Sequence, residues 1–177
     1  MRKAASIAIL LASLASAPAA AAPWTVDIGR GNAVQWIGIG KVLLDRPDID
    51  WHGGWQLDRL WVARLAYWSA EHPRPAGKHL VDASLMPTLR LAPREFEGMQ
   101  PFVEAAIGAH LLSRTSIDDR QFSTAFQFGE QLGVGVRLVG GMPLSISVRG
   151  EHVSNGGIKH PNAGLTSAVL RVQLEWR

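Results

Sequence analysis

Within the run Glu151-His152-Val153-Ser154-Asn155, a histidine and a serine stand two residues apart. On an extended strand that spacing turns both side chains to one face, with Cα atoms about 6.5–7 Å apart. A bent imidazole-to-hydroxyl hydrogen bond is within reach at that separation. An imidazole beside a hydroxyl is a general base beside a weak nucleophile, the arrangement that allows serine acyl transfer. A plainer reading is also open, in which polar residues simply end a strand. Other candidate groups carry less. His52, His72, His79, His110 and His160 lack metal-ligand spacing and read as loop or interior residues. Asp118-Asp119 reads as a solvated turn. Gly133-x-Gly135 lacks the helix that a phosphate loop needs and reads as packing space.

The pair must be held by strands, because the chain alternates. Leu144, Ile146, Val148, Gly150, His152 and Ser154 share one parity; Ser145, Ser147, Arg149, Glu151 and Val153 share the other. Ala168, Leu170, Val172, Leu174 and Trp176 likewise oppose Ser167, Arg171, Gln173 and Glu175. Val103, Ala105, Ile107, Ala109 and Leu111 oppose Glu104, Gly108 and His110. Leu132, Val134, Val136 and Leu138 oppose Gly133, Gly135 and Arg137. Leu85, Pro87, Leu89 and Leu91 oppose Ser84, Thr88 and Arg90. A period of two puts such sets on opposite faces of a strand, whereas a helix would scatter the charges. Eight segments follow, over about 24–30, 33–44, 55–69, 80–92, 101–113, 122–139, 143–154 and 165–176. Turn signals separate them, including Arg46-Pro47-Asp48, Pro73-Arg74-Pro75, Gly140-Gly141-Met142-Pro143 and Pro161-Asn162-Ala163-Gly164.

Composition decides which solvent the apolar face meets. Residues 1–22 have a positive start at Arg2 and Lys3, an apolar run from Ala4 to about Ala15, and small residues at Ala19 to Ala22. They read as a cleaved signal peptide, cut within Ala20 to Ala22. Of the 18 Lys and Arg, two lie in that segment, leaving 16 against 15 Asp and Glu, a net charge of +1. Such a balance offers no basic footprint for nucleic acid. Cysteine is absent, so neither disulfides nor thiolate metal sites can form. No later stretch approaches a membrane-spanning helix, so residues 23–177 can cross a bilayer only as a closed barrel. Eight strands of about ten residues make the smallest such barrel. Its interior holds packed side chains, not a pore. Trp55, Trp61 and Tyr67 share a parity along one strand, about 30 Å end to end, comparable to the spacing of aromatic girdles. Arg59 shares that parity and must sit near an interface. With both termini periplasmic, the 70–79, 114–121 and 155–164 connections face outward, and a long 45–54 connection faces the periplasm. By parity His152 and Ser154 then lie on the lipid-facing wall, where a polar pair is costly and needs a reason.

The run His152-x-Ser154-Asn155, followed by Gly157, Lys159, Pro161-Asn162 and Gly164, resembles the lipid A 3-O-deacylase (PagL) family. Gly77-Lys78-His79 before an apolar strand, and the stretch from Pro101 to Gly108, look like that family's fourth and fifth strands. The resemblance covers essentially the whole mature chain, with its specificity in residues 149–164. It implies an eight-stranded outer-membrane barrel with a serine-hydrolase site on its outer wall. Ser154 would be the nucleophile and His152 its general base. Asn155 and the backbone N–H near Gly157 would be the oxyanion donors. The family's acidic third member falls twelve residues after the serine, where this chain has Thr166. Thr166 has outward parity and can hold His152 by a hydrogen bond, but it brings no negative charge. Glu151 and Glu175 have inward parity.

The expectation is therefore an all-β, eight-stranded antiparallel barrel of the outer membrane. Its implied activity is hydrolysis of the ester-linked 3-hydroxyacyl chain at the 3-position of lipid A, at the outer leaflet. Lipid A or lipopolysaccharide is the implied substrate, with Lys159 near its phosphates or simply solvated. No cofactor or metal is called for, and a homodimer is compatible with the reading. A non-enzymatic adhesion or membrane-stabilising barrel, and a soluble lipid-binding barrel, are the alternatives left open by alternation alone.

Overall fold

The computed structural model of the chain describes residues 22–71, 77–138 and 144–174, with side chains described outside 46–51. Residues 1–21 of the expected signal peptide, the turns at 73–75 and 140–143, and His72, Glu175 and Trp176 lie outside the described residues. Ten strands occur in chain order: β1 (Trp24–Gly31), β2 (Val34–Trp51), β3 (Trp55–Ala70), β4 (His79–Pro93), β5 (Met99–Leu112), β6 (Ser116–Ile117), β7 (Arg120–Gln121), β8 (Phe126–Leu138), β9 (Leu144–Ser154) and β10 (Leu165–Leu174). Eight of them close an antiparallel barrel in the order β1-β10-β9-β8-β5-β4-β3-β2, with β2 pairing back to β1. The short β6 and β7 form a separate hairpin.

The alternation read in the sequence is the alternation of the wall. Ile37, Ile39, Leu65, Leu89, Val103, Ile107, Leu132, Val134 and Val148 point outward and are exposed. Arg64, Arg90, Arg149 and Arg171 point inward and are buried with Asp27, Asp58, Asp82, Glu104 and Glu151. A soluble barrel would reverse this distribution. Apolar outside and charged inside is the arrangement that lipid imposes, since every barrel strand is paired on both sides and these ions are sheltered within the wall. Trp55, Trp61 and Tyr67 all face outward, as does Arg59.

Two segments differ from their sequence reading. The long connection over 45–54 is mostly strand: β2 and β3 stay paired to Trp51 and Trp55, leaving only His52, Gly53 and Gly54 to turn. Register shifts between Val42 and Leu44 and between Pro47 and Ile49 absorb the irregular residues. A proline is tolerated at such a bulge because it has no ladder N–H to lose. The sixth barrel strand starts at Phe126, not 122. Residues before it leave the wall so that Ile117 and Phe122 can fill the barrel end, where both are fully buried. There they join Val34, Trp36, Trp68, Leu80, Val153 and Leu165 in an apolar plug. Trp68 stacks on Trp36 at 6.5 Å and meets Phe122 edge-on at 6.4 Å. Asp118 is also buried, not solvated, and its N–H donates to Gly77 O at 3.0 Å. The 113–125 segment is a cork, which its aperiodic sequence does not reveal.

Candidate active site

The plug and the charged interior together fix the strand that carries His152 and Ser154. Glu151 points inward from β9 and takes a bidentate ion pair from Arg64, at 2.8 and 2.9 Å. Gln131 donates to the same carboxylate. Val153, buried in the plug, anchors the next inward position. With residues 151 and 153 held inside, His152 and Ser154 must stand outside, because the pleat allows no other choice. His152 is exposed and Ser154 half-buried.

The neighbouring strand supplies a partner. Thr166 faces His152 across the β9–β10 ladder, and its Oγ1 lies 2.8 Å from His152 Nδ1. When Nδ1–H donates to that hydroxyl, the lone pair of the neutral ring is on Nε2, which is left able to accept a proton. Thr166 is held in turn, its N–H donating to Asn32 Oδ1 at 2.8 Å. Asn32 sits at the β1–β2 turn with φ of 51°, a conformation asparagine tolerates better than most residues.

Gly164 shows where the two side chains meet. A Cβ built on it would lie 3.1 Å from His152 Cε1, 3.5 Å from Nε2 and 3.5 Å from Ser154 Cβ. The imidazole edge and the serine side chain therefore converge on one point, which glycine leaves vacant. Its φ of 57° adds a second reason for glycine. Gly164→Ala should lower turnover by tenfold or more while heat-modifiable gel mobility stays unchanged. Steady-state kinetics in detergent would check this, and an alanine variant at full rate would contradict it.

Asn155 and Gly157 occupy the loop that follows. Odd parity continues through Asn155, so its side chain turns inward and is buried. Its Nδ2 donates to Phe122 O at 2.8 Å and Lys159 O at 2.7 Å, which uses both amide protons. Its Oδ1 accepts from Gly157 N–H at 2.9 Å. Asn162 Oδ1 accepts from Asn155 N–H at 3.2 Å. In this state Asn155 ties the 155–164 loop to the cork, and both expected oxyanion donors are engaged by other acceptors. Arg120, on the cork hairpin, links the same loop to the β1–β2 turn by donating to Gly164 O at 2.9 Å and to Asn32 O at 3.3 Å. Lys159 and His160 are exposed on its outer side.

Two flanking residues were not singled out by sequence. Phe128 faces Ser154 across the β8–β9 ladder, and Glu130 faces His152; both are exposed on the outer wall. The signal for them is a cross-strand register, which no single segment contains. Among the described residues no cluster of three or more His, Asp or Glu groups is arranged to hold a metal ion.

A sequence model described as lipid A 3-O-deacylase (PagL) matches residues 40–175. The lipid A deacylase PagL of Bordetella bronchiseptica is 38% identical over 120 residues, covering 67% of this chain and 63% of that protein. The chain thus spans somewhat less than two thirds of that relative's length. The lipid A deacylase PagL of Pseudomonas aeruginosa is 33% identical over 132 residues, covering 68% of this chain and 70% of its own length. The crystal structure of the outer membrane enzyme PagL superposes with a TM-score of 0.77 at 24% identity, over 86% of this chain and 99% of that one. The barrel fold is therefore shared. The family resemblance read from residues 149–164 extends over most of the sequence, and the chain belongs to the lipid A 3-O-deacylase (PagL) family.

Proposed function

We propose that the mature protein, released from a signal peptide at residues 1–22, is an outer-membrane serine esterase. It removes the ester-linked 3-hydroxyacyl chain from the 3-position of lipid A. The observation that carries the reading is the convergence of His152 and Ser154 at the outward end of β9, on the wall itself. An ester buried in the outer leaflet reaches that point without leaving the membrane. Its acyl chains then lie along Val148, Leu132 and Leu170, which are exposed below the site.

In this mechanism Nε2 of His152 accepts the proton of Ser154 as Oγ attacks the ester carbonyl. The tetrahedral intermediate collapses when the imidazolium returns that proton to the leaving lipid A hydroxyl. The product is an acyl-serine, and water activated by the same imidazole releases a 3-hydroxy fatty acid. Thr166 keeps the ring in the right tautomer and orientation. Asn155 braces the 155–164 loop through Lys159 O and Gly157 N–H, and its amide and the Gly157 N–H serve as oxyanion donors when that loop releases them. Mass spectrometry of lipid A incubated with the purified protein tests the proposal. Loss of one 3-hydroxyacyl group from the 3-position is expected. Unaltered lipid A, or loss of an acyl chain from another position, would overturn it.

Position 166 offers a separate test. Its hydroxyl orients His152 without stabilising the imidazolium, so Thr166→Glu should raise kcat by about tenfold, one unit of transition-state charge stabilisation. Thr166→Ala should lower it. An inactive Glu variant beside an Ala variant at wild-type rate would mean that another residue orients the ring.

A further inference from the structure

We infer that the outer wall over β3, β4 and β5 binds a glycerophospholipid of the periplasmic leaflet. One acyl chain lies in a dent beside Pro87, and the phosphate meets Arg59. The orientation rests on the proposed reading of His152 and Ser154 at the outer leaflet, which turns the 52–54 connection toward the periplasm. The site itself shares no residue with that reading.

The dent forms at a break in a ladder. β4 and β5 pair from Asp82↔Leu112 to Leu85↔Ala109, and again from Thr88↔Ala106 to Leu91↔Val103, in one unshifted register. Between the two stretches stands Pro87, which has no N–H to give. Met86 O accepts from Thr88 Oγ1 at 3.1 Å. On the outer face the break coincides with a cavity of about 430 Å³. Pro87 and Ala105 leave it shallowly filled, Trp61, Leu89 and Ile107 border it, and Arg59 belongs to its lining. By register Arg59 faces Leu89, and Trp61 faces Pro87, so the arginine stands at the corner nearest the 52–54 turn.

Arg59 sets the chemistry of the occupant. It is exposed on the outward row of β3, in line with Trp61, Leu65 and Tyr67. A cation on such a row is costly at the bilayer midplane and tolerable at an interface. Register puts it at the interface. Trp24 pairs with Lys41 and Lys41 with Ala63, and Arg59 lies four residues beyond Ala63 toward the turn. Lys41 sits over the Trp24 ring at 5.4 Å, a cation and an indole at the same end of the barrel. A guanidinium grips phosphate oxygens in bidentate fashion, and an indole such as that of Trp61 favours the level of the headgroups. From Arg59 the dent leads toward the membrane centre, the direction an acyl chain takes. A second copy packed through the same face would bring Arg59 no acid. Among the described residues, the outward rows 59–67 of β3, 83–91 of β4 and 103–111 of β5 hold none.

Native mass spectrometry of the detergent-purified full chain tests the inference, with dioleoylphosphatidylglycerol and the phosphate-free dioleoylglycerol as probes. Wild type should retain one phosphatidylglycerol per chain and bind it about tenfold more tightly than the diacylglycerol. A105F fills the dent from an exposed position and should lower retention of phosphatidylglycerol by about tenfold. R59Q keeps the dent and should abolish the preference between the two lipids. Heat-modifiable gel mobility checks that both variants fold, and deacylase turnover should be unchanged in each. Equal retention by A105F, a preference that survives R59Q, or lipid found only on dimers overturns the inference. Turnover that falls in step with lipid retention would assign the dent to the path of the substrate and overturns it as well. Ser154→Ala tests the hydrolase reading separately, so failure of either leaves the other measurable.

Discussion

Ser154→Ala should abolish deacylation while leaving a folded, heat-modifiable barrel. The serine stands at the outward end of β9, half-buried and outside the plug. Exchanging its hydroxyl for hydrogen opens no interior cavity and strands no buried donor. Stability should change by about 0.5 kcal/mol or less, as at other surface positions. Turnover should fall by about three orders of magnitude or more, because binding and oxyanion stabilisation alone remain. His152→Ala should do nearly the same. The double variant should be scarcely worse than either, since the two side chains act as one unit. Release of 3-hydroxy fatty acid from lipid A in detergent measures all three, and additive losses in the double variant would contradict a shared step.

Arg64→Ala should produce the largest loss of stability. Its guanidinium is fully enclosed, paired with Glu151 and within 3.5 Å of carboxylate oxygens on Asp27 and Asp82. It also stacks over the Trp36 ring at 4.4 Å. Asp27 keeps Arg171, at 2.6 Å, and Asp82 keeps His110, at 3.0 Å, but Glu151 is left with Gln131 alone. Removing one partner of a buried pair typically costs about 3–5 kcal/mol, because the other charge stays desolvated. Replacing both, as Arg64→Met with Glu151→Leu, should recover much of that loss. Urea unfolding in lipid vesicles would compare the three proteins. An Arg64→Ala barrel as stable as wild type would show that the interior network is not what sets the inward parity of β9.

Legibility in the sequence followed periodicity. The strand faces around Val148, Ile107 and Leu170 could be assigned because lipid on one side and a narrow interior on the other impose a strict period of two. His152 and Ser154 inherited their outward direction from the same rule, and Thr166 its place beside them. Asn155 shows the rule reaching further than it was applied: continued parity turns it inward, onto Phe122 O and Lys159 O. The cork at 113–125 was invisible because its residues pack by tertiary contact, without repeat. Pro47 read as a turn, whereas the pairing of β2 with β3 carries it in a bulge. Glu130 was missed for a different reason. Its relation to His152 exists only in the register between two strands, and that register is set by the whole barrel.

Active-site phosphonylation tests the account's central claim most directly. A lipid-like fluorophosphonate, incubated with the detergent-solubilised protein, should leave one covalent adduct, mapped by peptide mass spectrometry to Ser154. The adduct should form with loss of deacylase turnover, be absent from Ser154→Ala, and form far more slowly in His152→Ala, because only an imidazole-activated hydroxyl attacks phosphorus at neutral pH. Turnover that survives complete labelling of Ser154, or inactivation with the adduct on another residue, would contradict it.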